Sequence, residues 1–172
     1  AVHQSVPGGA GNGYSWRQGV ITIRQEQEQD EKRRIAAQIL ADLPEWFGLP
    51  ESTAEYVRES GENPMWTALL DGEEAGFIVQ KQTSDAAVEI CVMGVKKRYH
   101  RQGIGARLWQ AFASDARKKG FSYAQVKTVA AGRYLEYDRT RAFYERMGFQ
   151  ALEVFPILWD AWNPCLLMVQ KL

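Results

Sequence analysis

The chain has 172 residues, and its 21 Lys and Arg balance 21 Asp and Glu, giving a formal net charge of zero. No global field draws it to nucleic acid or to an anionic membrane, so any attraction to phosphate has to be local. Two cysteines in separate apolar runs (Cys91, Cys165) and two histidines (His3, His100) provide neither a disulfide framework nor a zinc-type cluster. No metal is expected. No apolar run approaches the roughly 20 residues of a membrane helix, and no charged-then-apolar leader opens the chain. The expected setting is the cytoplasm.

Residues 1–19 are rich in Gly, Ser and Gln and predict a flexible N-terminal tail, with Trp16 as the one residue able to dock; residues 20–172 predict a single domain. Val20–Arg24 reads as a first strand. The charged run QEQEQDEKRR opens a helix whose apolar face is Ile35, Ile39 and Leu40, ending before Pro44. Pro50 starts a second helix, with Tyr56 and Val57 inward, ending near Gly61. Trp66–Leu70 and Ala75–Gln80 flank the hairpin signature Asp71-Gly72-Glu73-Glu74.

Ala87–Val95 is the next strand, and Ile104, Leu108, Ala111 and Phe112 mark a helix closed at Lys118-Lys119-Gly120. Phe121–Val129 alternates as a strand. Asp138 or Thr140 is the expected cap of a helix carrying Ala142, Phe143 and Met147 and stopped at Gly148. Gln150–Leu158 and Cys165–Leu172 are two last strands around a Trp159–Pro164 turn. The order β-α-α-β-β-β-α-β-α-β-β predicts an α/β (α+β) fold. Its sheet is mixed and mostly antiparallel, of about seven strands, with helices on both faces.

The stretch from Glu89 to Trp109 organises the rest. An apolar strand runs into a basic turn with two close glycines, Gly103 and Gly105, and then into a helix. Glycines let a backbone approach a ligand closely. The N–H groups of Gln102 to Ala106 then face an anion at the positive end of the helix dipole. Lys96, Lys97, Arg98, Arg101 and Arg107 add local positive charge.

His100-Arg-Gln-Gly103-Ile-Gly105-Ala106, after a V-x-V strand, resembles the acyl-CoA signature of the GNAT N-acetyltransferase superfamily, [Q/R]-x-x-G-x-[G/A]. His100 stands where that pattern has Gln or Arg. Thr140-Arg-Ala-Phe-Tyr144-Glu-Arg-Met-Gly148-Phe149 resembles the second hallmark, a helix ending A-x-x-[FY]-Y-x-x-x-G-F. The resemblance covers residues 20–172. It implies a GNAT-like acyl-CoA N-acyltransferase fold with acetyl-CoA as cosubstrate, its pyrophosphate held by Arg101, Gln102, Gly103, Ile104, Gly105 and Ala106. It also implies that the backbone of Met93 and Val95 lies against the pantetheine, and that Tyr144 sits by the sulfur as general acid. A phenol of pKa about 10 is protonated at pH 7 and suits that role. From the residues alone, a core tyrosine on an amphipathic helix is the favoured reading of Tyr144.

The base is sought among Glu89, Glu136, Asp160 and an ordered water. Glu89 alternates onto the strand face of Cys91 and Met93, and some members of the resembling family carry a catalytic Glu there; a structural carboxylate is the alternative. On the acceptor side, Trp46, Tyr134, Tyr137 and Trp159 are the candidate substrate-binding residues, with Phe47 and Trp162 nearby in sequence terms. Aromatics beside Glu45, Glu136 and Asp160 suit an ammonium, although packing at the edges of the core would explain them as well. Ile157-Leu-Trp-Asp160-Ala-Trp-Asn-Pro-Cys165 is similar to the ending of uncharacterised bacterial members.

These observations point to an N-acetyltransferase moving an acetyl group from acetyl-CoA directly to a primary amine, on a small molecule first and on a peptide or protein second. A non-catalytic acyl-CoA-binding module is the alternative from another class. Neither nucleic acid nor membrane is an expected partner, and a homodimer is left open.

Overall fold

Asp71 and Gly72, both at positive φ (50° and 84°), close a two-residue hairpin that sets the first long antiparallel ladder. The computed structural model describes residues 19–130 and 134–172. The expected tail, with His3 and Trp16, lies outside the described residues except for its last residue, Gly19. The elements are β1 (Ile21–Glu26), α1 (Gln29–Ala41), α2 (Pro50–Glu62), β2 (Met65–Leu70), β3 (Glu73–Gln82), β4 (Ala87–Val95), α3 (Ile104–Lys118), β5 (Tyr123–Val129), α4 (Leu135–Arg146), β6 (Gln150–Asp160) and β7 (Asn163–Lys171). A short 3-10 turn at Lys97–Tyr99 links β4 to the glycines. The strands form one sheet in the order β1-β2-β3-β4-β5-β7-β6, antiparallel throughout except between β4 and β5. Element order and sheet character match the sequence reading.

Helical spacing assigns the faces. Ile104, Leu108, Phe112 and Ala116 repeat every four residues along α3 and bury one stripe against Ile78, Val88 and Val126. Trp109 meets Phe149 at 4.9 Å between ring centroids, so α3 also grips the end of α4. On the other face Ile35, Ile39 and Leu40 of α1 pack on Phe77, Val79 and Val92. Each fully buried side chain of this size contributes about 1.5–3 kcal/mol.

Two local readings are corrected. Asp138 and Thr140 do not cap α4, which begins a full turn earlier at Leu135. Asp138 instead pairs with Arg141 inside the helix, and the Thr140 hydroxyl bonds back to the Glu136 carbonyl at 3.0 Å. The expected six-residue Trp159–Pro164 turn is a two-residue turn, because the Asp160 carboxylate accepts the Trp162 and Asn163 N–H groups at 2.8 and 2.9 Å and carries pairing to the tip.

β4 and β5 part along most of their length. Their parallel pairing covers only Ala87–Glu89 against Tyr123–Gln125, and the strands then separate. On its other edge β4 stays paired to β3, but with a bulge: Gln80 opposes Ile90 and Val79 opposes Val92, leaving Cys91 extra. A bulge bends and twists its strand. It also moves the later residues to the opposite face. Val88 and Ile90 pack with α3, Cys91 and Val92 pack with α1, and Met93 and Val95 return to α3. Glu89 therefore shares a face with Cys91 and not with Met93, which corrects the alternation expected from sequence.

Candidate functional site

The turn after β4 has the backbone that its glycines predict. Arg101 and Gly103 sit at φ 62° and 78°, and α3 starts at Ile104 with no side-chain cap and no acidic residue in its first turn. The first-turn N–H groups, of Ile104, Gly105 and Ala106, have no intrahelical acceptor and face outward at the positive helix end. A Cβ on Gly103 would meet nothing within 4 Å, whereas one on Gly105 would lie 2.9 Å from Phe143 Cε2 and 3.4 Å from Met93 Cε. Gly105 is thus the point where α3, α4 and β4 converge.

The surrounding charge is smaller than the sequence suggests. Lys97 pairs with Glu45 at 2.9 Å and Arg98 with Glu73 at 3.0 Å. The positive character of the turn then comes from Lys96, Arg101, Arg107 and the helix end. The His100 ring reaches back, its Nε2–H donating to the Val95 carbonyl at 2.6 Å, so it holds the end of β4 to the turn.

Tyr144, on the inner side of α4, is 8% exposed and packs against Phe143 and Phe149. Its hydroxyl makes no hydrogen bond among the described residues. Burial, with Tyr56 nearby, pushes this phenol above its ordinary pKa, so it stays protonated well into the alkaline range.

Glu89 lies at the vertex where β4 and β5 part, 3.3 Å from Lys127 Nζ on β5. Beside it is a group that sequence reasoning passed over. Glu59 of α2 accepts from the Cys91 thiol at 2.7 Å and from Lys81 Nζ at 2.8 Å. Burial opposes the Glu59 charge, but these two hydrogen bonds prevail and hold its carboxyl below the usual range. Burial likewise pushes the Cys91 thiol up, with Glu59 adding to the effect. With Tyr56, the carboxylates of Glu51, Glu55 and Glu59 line a groove of about 400 Å³ along α2. Tyr56 packs inward as the helical spacing predicts, and Glu59, three residues on, follows from the same spacing.

Of the four acceptor-side candidates, three come together. The Trp46 indole N–H reaches Thr140 Oγ1 at 3.2 Å and the Glu136 carbonyl at 3.4 Å, and the Tyr137 hydroxyl donates to the Trp46 carbonyl at 2.9 Å. Tyr134 packs on Tyr137 at 5.9 Å between centroids. Trp46 also meets the His100 ring edge-on at 6.0 Å. The loop after α1 therefore straps the anion-facing turn to the start of α4. Trp159 is apart from these three, half exposed near the end of β6. The Asp160 carboxylate, a rival base, is used in its own turn.

A strand pair that parts ahead of a glycine turn and an uncapped helix start is the arrangement against which known proteins can be compared. The family model of the acetyltransferase (GNAT) domain matches residues 61–151, more than half of the chain. The chain belongs to the GNAT acetyltransferase family.

Two curated relatives, both from Xenopus tropicalis, are "Probable N-acetyltransferase 14" and "Probable N-acetyltransferase camello". The first is 34% identical over 77 residues, 41% of this chain and 37% of the relative. The second is 29% identical over 97 residues, 54% of this chain and 42% of the relative. The chain thus spans well under half the length of these relatives. Among solved structures, Ard1 from Thermoplasma volcanium superposes with a TM-score of 0.71 at 20% identity, covering 88% of this chain and 97% of that one. The ribosomal-protein-S18-alanine N-acetyltransferase from Escherichia coli has a TM-score of 0.71 at 18% identity, covering 88% and 94%. An aminoglycoside 6'-N-acetyltransferase complexed with coenzyme A has a TM-score of 0.68 at 19% identity, covering 87% and 96%. These likenesses establish the GNAT fold. Among the described residues, no helix is long and apolar enough to cross a membrane, and no group of three or more His, Cys, Asp or Glu is placed to hold a metal.

Proposed function

We propose that residues 20–172 act as one N-acetyltransferase domain, with acetyl-CoA as donor and a primary amine of a small molecule as acceptor, in a reducing compartment such as the cytoplasm. The observation that carries this reading is the opening of β4 from β5 directly beside the uncapped start of α3. Arg101 to Ala106 would hold the pyrophosphate, and the free β4 edge through Met93 and Val95 would lie along the pantetheine. Acetyl-CoA supplies the activated acetyl group as a thioester.

In this assignment the amine nitrogen bonds to the acetyl carbon, the carbon–sulfur bond breaks, and the leaving thiolate takes the Tyr144 proton. The amine's own proton goes to Glu89, directly or through water, on the side where Lys127 holds that carboxylate. The acidic groove along α2 and the aromatic group of Trp46, Tyr134 and Tyr137 favour a cationic acceptor. Trp159 belongs to the same side of the assignment, from the β6 hairpin. Donor-bound neighbours support the choice of cosubstrate, since one is complexed with coenzyme A and another has acetyl-CoA bound. Solved neighbours named for aminoglycoside and for ribosomal-protein acetylation keep a protein amine as the second acceptor class.

Calorimetric titration with acetyl-CoA, and with CoA as comparison, tests the reading. Micromolar binding followed by free-thiol release with an amine panel is the expected result. Absence of binding to either would overturn the donor assignment, and binding without turnover on any amine would leave the non-catalytic acyl-CoA-binding alternative.

A further inference from the structure

The segment that leads from β4 into α3 is pinned at both ends. At the far end Ile104, the first residue of α3, is 1% exposed and packs in the core that α3 shares with the sheet. At the near end the loop after α1 takes hold of it. Asp42 accepts the Lys97 N–H at 2.7 Å, Glu45 pairs with Lys97 Nζ at 2.9 Å, and the Trp46 indole meets the His100 ring edge-on at 6.0 Å. Between these anchors lie only Arg101, Gln102 and Gly103. Their backbone includes two positive φ angles, 62° at Arg101 and 78° at Gly103. A residue with a side chain stays at positive φ only where its surroundings over-determine it.

His100 closes the near end with a bond whose direction matters. The Lys96 N–H donates to the Ala75 carbonyl at 2.8 Å, so Lys96 faces β3. Main-chain groups alternate along a strand, so Val95 points its N–H and C=O to the opposite edge, the one that β5 has left. His100 Nε2 lies 2.6 Å from that Val95 oxygen. A carbonyl only accepts, so Nε2 carries the hydrogen. By comparison, the Gln102 amide reaches the Arg98 carbonyl only at 3.4 Å.

We propose that His100 is a positioning residue for the donor. Its ring fastens the anion-receiving turn to the open edge of β4 and to Trp46, so the N–H groups from Gln102 to Ala106 stand in place before a ligand arrives. Through Trp46 the same ring joins the turn to Thr140, on the helix that carries Tyr144. The inference rests on the donor assignment above. It adds that acetyl-CoA affinity depends on a side chain that need not touch the phosphates, because a turn ordered beforehand removes that cost from binding.

Calorimetric titration of the full chain with acetyl-CoA tests this without an acceptor. His100→Ala removes both bond and ring. His100→Phe keeps an aromatic edge for Trp46 but donates nothing, and His100→Gln can donate to Val95 again. The Ala and Phe variants are expected to bind acetyl-CoA about fivefold or more weakly, and the Gln variant within about twofold of wild type. His100 is exposed, so all three should keep the wild-type circular dichroism spectrum. An Ala variant that binds as tightly as wild type overturns the proposal. So does a Gln variant as weak as Ala, since the bond to Val95 is then not what positions the turn. Either result leaves the donor assignment standing. A wild-type protein that does not bind acetyl-CoA overturns the donor assignment, and this inference with it.

Discussion

The indole N–H of Trp46 donates to the hydroxyl of Thr140 at 3.2 Å, tying the loop after α1 to the helix that carries Tyr144. The two residues are 94 positions apart. Thr140→Val keeps the shape of that side chain but removes the acceptor, and also the hydroxyl's own bond to the Glu136 carbonyl. The expected loss is about 1 kcal/mol, seen as a fall of about 2–4 °C in Tm for a chain of this size. An unchanged melting temperature would show that the strap adds nothing to stability.

Tyr144→Phe should keep acetyl-CoA affinity and lower kcat by about a hundredfold or more, because only the proton donor is lost. The pH profile gives a second check. A buried phenol whose pKa is raised acts as an acid below that pKa and loses activity as pH rises through it. No alkaline fall in kcat attributable to Tyr144 is therefore expected below about pH 10. A wild-type kcat in the Phe variant would remove the general-acid assignment.

Glu89→Gln separates a base from a structural carboxylate. As base, its loss should cut kcat by about a hundredfold with acetyl-CoA binding intact. A lowered Tm with unaltered kcat would instead assign Glu89 to its ion pair with Lys127.

The two glycines of the turn should fail differently. Gly103 is at φ 78° with free space around its missing Cβ, so Gly103→Ala costs about 1 kcal/mol of conformational strain and little else. Gly105→Glu places a side chain against Phe143 and an anion where the phosphate is assigned. Acetyl-CoA should bind it about tenfold or more weakly. Undiminished affinity in that variant would remove the phosphate assignment.

Stability should fall in alkali through Cys91 and Tyr144. Both groups are raised in the fold, so they keep their protons where the unfolded chain releases them. Below the unfolded values, about 8.5 for the thiol and 10 for the phenol, the two states bind the same protons and nothing changes. Above them the unfolded state binds fewer, and stability drops by about 1.4 kcal/mol per pH unit for each group. Denaturant titrations from pH 8 to pH 10 on wild type and Cys91→Ala check this; equal slopes in both would show that the thiol contributes nothing.

Much was legible because it is local. Apolar periodicity in α1, α3 and β3, the Asp71-Gly72 hairpin, the Gly103–Gly105 turn and the spacing of Tyr144 before Gly148 are short-range relationships that physical chemistry ties to one backbone geometry. Element order then restricted the sheet to very few topologies. Three matters were decided only by the tertiary structure. One extra residue at Cys91 moves Glu89 and Met93 to opposite faces, because strand faces depend on a register set by β3 and not by β4 itself. Glu59 and Trp46 acquire their roles from partners on other elements, 32 and 94 positions away, that no local pattern announces. And the apolar residues of β6, read in sequence as an ordinary strand, are left exposed because no described helix or strand packs over them. Burial belongs to the assembled surface and is not a property of the segment.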